Sequence, residues 1–225
     1  MNQHIQHFWV VFRKDIRIEL RTREILLTMG LFALLLVVVF SFAFYTDAER
    51  SRIYAPGILW TTVVFSGTIG LNRLFERENE NGCLSGVLLT PISPRMVFVA
   101  KAMGNLLFTL LMEILTVPLL VMFFSLDIQP VGIFLSGLLL GTVGFCFVGT
   151  LFAAMLSAAR MKEVLVPLVV YPIIVPIIIG GVKVTAVVLN DYPVEEALNW
   201  LKLIAGFDLL FVSLAIWLFE PMIAP

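Results

Sequence analysis

Charge is what this 225-residue chain has least of. Asp, Glu, Lys and Arg together make up 14% of it, against about a quarter in an ordinary soluble domain. That shortage excludes a globule covered by water. Histidine is scarcer still: His4 and His7 are the only two, so no histidine-built metal site is available in the rest of the chain. The two cysteines, Cys83 and Cys146, fall in a polar segment and an apolar run, which supports neither a disulfide framework nor a metal framework. No GxxxxGK[ST] phosphate loop, HExxH, CxxC or GxSxG occurs. The chain is therefore read as a non-enzyme that binds no ATP in the P-loop manner and holds no cofactor of its own. A net charge of −1 offers nothing to a nucleic acid.

What is present is hydrophobicity. Residues of the hydrophobic type make up 60% of the chain, with a mean hydropathy of +1.01. Apolar runs at 25–45, 53–71, 97–125, 131–159, 164–189 and 201–219 each reach the roughly 20 residues a membrane-spanning helix needs. They are continuous rather than alternating, which argues for helices and against a barrel. The expected fold is an all-α integral membrane protein, residues 1–225 forming a single transmembrane domain of six spans. The first run is too long for a signal-peptide core, and eight charged residues precede it.

The positive-inside rule gives the orientation. With the N-terminus inside, the inner segments hold Arg13, Lys14, Arg17, Arg21, Arg23, Arg73, Arg77, Arg95, Lys101, Arg160 and Lys162. The outer segments hold only Arg50, Arg52, Lys183 and Lys202. Both termini are expected in the cytoplasm. Before the first span, residues 5–21 read as an amphipathic interface helix. Ile5, Phe8, Trp9, Phe12, Ile16 and Leu20 are apolar at helical spacing, with Lys14, Arg17 and Arg21 on another face. It serves as a membrane-surface anchor or as an elbow that also touches a neighbouring subunit.

The connection 72–95, between spans two and three, is the one substantial cytoplasmic loop. Glu76, Arg77, Glu78 and Glu80 open it, and Gly82 permits a break. Leu84, Val87 and Leu88 then form an i, i+3, i+4 stripe before Pro91 and Pro94 stop the helix. A rigid short helix with an apolar stripe suits a partner's groove, and its acids suit a basic rim. They suit an anionic lipid surface less well.

Within the spans, Glu113 and Asp208 are costly interruptions. Counted from the run boundaries at ~1.5 Å per residue, both belong in the outer half of the bilayer. They either satisfy themselves within the bundle or line an outer polar cavity on a transport route. Lys101, near a cytoplasmic end, is expected to snorkel to the headgroups. Gly137, Gly141, Gly149, Ala153 and Ser157 give the fourth span a small-residue face for close packing or for a subunit interface. Pro167, Pro172 and Pro176 are expected to kink or break the fifth span, as a gate would require.

Residues 75–94, Phe-Glu-Arg-Glu-x3-Gly-x-Leu-x3-Leu-Leu-x-Pro-x-x-Pro, resemble the cytoplasmic loop of six-span ABC-type exporter permeases. The compact length and the run Pro-Leu-Val-Val-Tyr-Pro-Ile-Ile-Val-Pro in the fifth span look most like CcmB, the haem-exporter permease family of cytochrome c maturation. The resemblance implies a bacterial inner-membrane subunit that pairs with a second copy of itself and with a separate cytoplasmic ATPase (CcmA-like). It also implies haem-handling membrane partners (CcmC-like and CcmD-like), a periplasmic haem chaperone (CcmE-like), and haem as the cargo. In such permeases the loop helix, here Glu76 to Pro91, docks in the ATPase and transmits its closure. Two rivals stay open: a drug, lipid or polysaccharide exporter of the same architecture, and a membrane scaffold that transports nothing.

Overall fold

The computed structural model describes residues 3–44, 48–75, 93–157, 159 and 161–223. Among these are seven α-helices and no strand: α1 (Gln3–Thr22), α2 (Glu24–Ala43), α3 (Ala48–Arg73), α4 (Pro94–Phe124), α5 (Val131–Met155), α6 (Lys162–Leu189) and α7 (Val194–Ile223). The six from α2 to α7 are long and apolar enough to cross a membrane. The chain is thus an all-α, six-span membrane protein.

α3 and α5 are the most enclosed helices, and α2 and α7 the least. α5 packs on α3, α4, α6 and α7, while α2 lies against α3 and α4. Outward faces carry Leu31, Phe42, Leu209 and Trp217, as expected where the solvent is hydrocarbon. Trp60 of α3 is the largest fully buried side chain. It donates its indole N–H to Thr185 Oγ1 at 3.1 Å, and its ring fills the notches that Gly141 and Gly181 leave. Gly137 similarly receives Val184, and Gly149 receives Leu71. The small-residue face of α5 is therefore consumed inside the chain, by close packing of its neighbours.

The fifth span is not broken. α6 runs from Lys162 to Leu189 with Pro167, Pro172 and Pro176 inside it. The buried stripe is Val166, Val170, Ile174, Ile177 and Val184, whereas Pro172 is exposed and the other two prolines are half-buried. Each proline removes one backbone donor, but the packed stripe between them holds the helix together. Helix ends also differ from the run boundaries. α7 begins at Val194, taking Glu195 and Glu196 into its first turn, where acids are favoured by the helix dipole.

α1 packs on α4 through Phe8, Val11 and Phe12 against Val97 and Ala100. Its chain then turns at Arg23, in the left-handed region at φ 57°. There Glu19, 3% exposed, accepts a hydrogen bond from the Leu26 N–H at 2.9 Å. An acid thus satisfies one of the open donors at the start of α2, as a capping residue would.

Candidate functional site

The polar loop singled out in the sequence, with Glu76, Arg77, Glu78, Glu80, Gly82, Leu84, Val87, Leu88 and Pro91, lies outside the described residues. Its two roots are within them. At the entry, Leu74 and Phe75 are buried at the end of α3. At the exit, α4 begins with Pro94 at its first position, where a missing N–H costs nothing.

Lys101 joins the entry root to two helices, which corrects its reading as a snorkelling residue. It is 3% exposed, and its Nζ lies 3.1 Å from Asp15 Oδ2 of α1. The same Nζ donates to the Leu74 carbonyl at 3.2 Å and sits 5.4 Å from the centre of the Phe75 ring. α1 covers this side of α4, so the ammonium has no route to water and is satisfied by protein instead. Arg95, six residues earlier, forms a 2.6 Å ion pair with Glu220 near the end of α7. Entry root, exit root, interface helix and last span are thereby tied at one end of the bundle. Asp15 and Glu19 went unnoticed in the sequence. The available signal was their spacing: positions 8, 11, 15 and 19 continue one helical face, and that face packs on α4 and α2.

At the other end, Arg52 of α3 lies 3.5 Å from Asp191 in the α6–α7 turn. Asn190 donates to the Arg52 carbonyl at 3.4 Å.

Glu113 and Asp208 both meet α5, on different sides. Glu113 is 1% exposed and lies 2.5 Å from Thr142 Oγ1. Thr142 is also 2.8 Å from the Leu138 carbonyl. A hydroxyl has one hydrogen to give, so Thr142 divides it between Glu113 Oε1 and the Leu138 carbonyl. Asp208 is 6% exposed, and its Cγ is 3.2 Å from where a Cβ would stand on Gly144. Thr142 and Gly144 are about 200° apart around the helix and only ~3 Å apart along it. The two acids therefore share a depth but face each other across the body of α5. Along α4, Glu113 lies nearer the Phe124 end than the Pro94 end. α7 starts seven residues before the apolar run, which places Asp208 at its midpoint. Glu113 fastens α4 to α5, and Asp208 stands against Gly144 of α5.

Among the described residues no cluster of His, Cys, Asp or Glu could hold a metal ion. Cys146 is free and buried.

Sequence comparisons agree over nearly the whole chain. The family model described as "CcmB protein" matches residues 6–221. Heme exporter protein B of Bradyrhizobium diazoefficiens is 30% identical over 179 residues, 80% of this chain and 81% of that protein. Heme exporter protein B of Pseudomonas aeruginosa is 23% identical over 209 residues, 93% and 94% of the two chains. The protein of that name from Haemophilus influenzae is 28% identical over 142 residues, 63% and 64%. With the match running from α1 to the end of α7, this six-span chain belongs to the CcmB protein family.

Proposed function

We propose that this chain is the membrane permease subunit of a haem-export complex serving cytochrome c biogenesis. The observation that carries this reading is family membership across residues 6–221, joined to relatives named for haem export over most of both chains. The chain acts as a transporter subunit, not an enzyme, and haem is its cargo rather than its cofactor.

The finer reading is mechanical. The complex sits in the bacterial inner membrane with both termini of this chain in the cytoplasm, and residues 1–225 work as one permease domain. A separate cytoplasmic CcmA-like ATPase binds and hydrolyses ATP, and two copies of each subunit assemble. CcmC-like and CcmD-like subunits and a CcmE-like chaperone handle haem beside it. The coupling surface is Glu76, Arg77, Glu78, Glu80, Gly82, Leu84, Val87, Leu88 and Pro91, and α6, continuous but short of three backbone donors at Pro167, Pro172 and Pro176, is the span that moves. The fastening of both loop roots supports this reading. A push on the loop reaches α1 through Lys101 and Asp15, and α7 through Arg95 and Glu220. Motion is then shared among packed helices instead of being lost in a loose tether.

The experiment is co-purification with a P-loop ATPase, followed by Leu84→Asp and Leu88→Asp. The expected outcome is that the wild-type complex shows a permease-dependent ATPase rate and supports cytochrome c maturation. The variants, still inserted, lose both. An ATPase rate indifferent to these variants, with maturation intact, would leave the scaffold reading in place.

A further inference from the structure

α4 carries a line of buried polar residues, and the middle of that line meets α5. Lys101, Asn105, Thr109, Glu113 and Thr116 recur at helical steps of three or four, and all are buried. On α5, Thr142, Cys146 and Thr150 recur every fourth residue, each 0% exposed. Two rungs of this ladder are closed directly. Glu113 meets Thr142 at 2.5 Å, and the Cys146 thiol donates to Thr109 Oγ1 at 3.6 Å. Each step of four down α4 is matched by a step of four up α5. The next rung of that antiparallel register sets Asn105 opposite Thr150.

That third rung is not closed by protein. Asn105 Nδ2 and Thr150 Oγ1 are both buried with no hydrogen-bond partner among the described residues, and so is Glu113 Oε2. Three orphaned polar atoms on one helix–helix seam are a costly arrangement in hydrocarbon. Two of them stand opposite each other in a register that elsewhere brings side chains into contact. Buried groups that no protein atom satisfies are where ordered water resides, and such a water needs two to four polar partners.

We propose that the α4/α5 seam is a hydration site, with water bridging Asn105 Nδ2 to Thr150 Oγ1 and reaching along the seam toward Glu113 Oε2. The ligand is water alone, and the inference is independent of the cargo. A wetted polar seam beside Lys101 joins the loop root to the middle of the bundle. It also makes α4 and α5 the helix pair whose separation exposes groups that welcome solvent.

Cys146 is a native reporter, because hydroxyl radicals generated from water by an X-ray pulse oxidise thiols and thioethers beside bound water. The purified full-length protein is irradiated, and oxidation at each sulfur is measured by mass spectrometry. Asn105→Leu with Thr150→Val is expected to slow oxidation of Cys146 about five-fold, while Met161 at the surface is unchanged. Should the double variant fail to fold, Thr150→Val alone, a change of nearly equal volume, is expected to slow it in the same direction. A rate of Cys146 oxidation untouched by these variants overturns the proposal.

Discussion

Lys101 is a cation held by protein on three sides, so its partners bear the consequence of removing it. Replacing it with Met takes one of two cations from Asp15, which keeps Lys14 at 3.3 Å, and leaves the Leu74 carbonyl without its donor, so the cost stays below the about 3–5 kcal/mol of a fully orphaned buried charge. Lys101→Met is expected to lower the unfolding midpoint in detergent. Adding Asp15→Leu is expected to restore part of that loss, because replacing both charges by apolar groups is less costly than leaving one under-paired. A double-mutant cycle on unfolding free energy measures the coupling, and independence of the two sites would refute it. Glu113 behaves differently. Gln keeps both the shape and an acceptor for Thr142, so Glu113→Gln is expected to remain near wild type in stability and in cytochrome c maturation. Glu113→Ala should lose about 2–4 kcal/mol through a cavity and an unsatisfied hydroxyl. Loss of maturation in a fully stable Glu113→Gln protein would instead give the carboxyl a part in transport.

At the scale of helices, α5 is the spine and Trp60 the wedge. A methyl group on Gly141 would stand 2.7 Å from Trp60 Cζ3, and one on Gly181 would stand 2.8 Å from Cη2. The ring cannot simply retreat, since its N–H is engaged by Thr185. Gly141→Ala and Gly181→Ala are each expected to cost about 1–3 kcal/mol by overpacking. Gly30→Ala, with nothing within 4 Å of the new methyl, serves as the silent control in the same thermal-melt series. Equal melting temperatures for all three would show that the wedge has room. Existence and number of the spans were readable from the runs because apolar length alone decides what crosses a bilayer. Their ends were not. Charges at Glu195 and Glu196 look like a boundary in sequence but are welcome in a helix's first turn. The continuity of α6 was unreadable for a similar reason: proline spacing reveals lost donors, while the stripe that compensates becomes visible only once α5 and α7 are packed against it.

For the whole molecule, the two ends of the bundle are fastened by different means. One end has Lys101 with Asp15 and Arg95 with Glu220 around the roots of the loop. The other has Arg52 with Asp191 and Asn190. Orientation decides which end faces the cytoplasm, and the two cysteines allow it to be measured without engineering the fold. Cys83 belongs to the loop, whereas Cys146 is wholly buried and beyond the reach of a bulky reagent. A membrane-impermeant maleimide is expected to label the protein in inside-out vesicles and to leave it unlabelled in intact spheroplasts. Cys83→Ser should abolish the signal, which ties it to the loop. The positive-inside bias of the sequence and the proposed docking of a cytoplasmic ATPase both require this result. Labelling from the outer side only would invert the topology, strand the loop away from ATP, and remove the mechanical reading while leaving the family and the fold untouched.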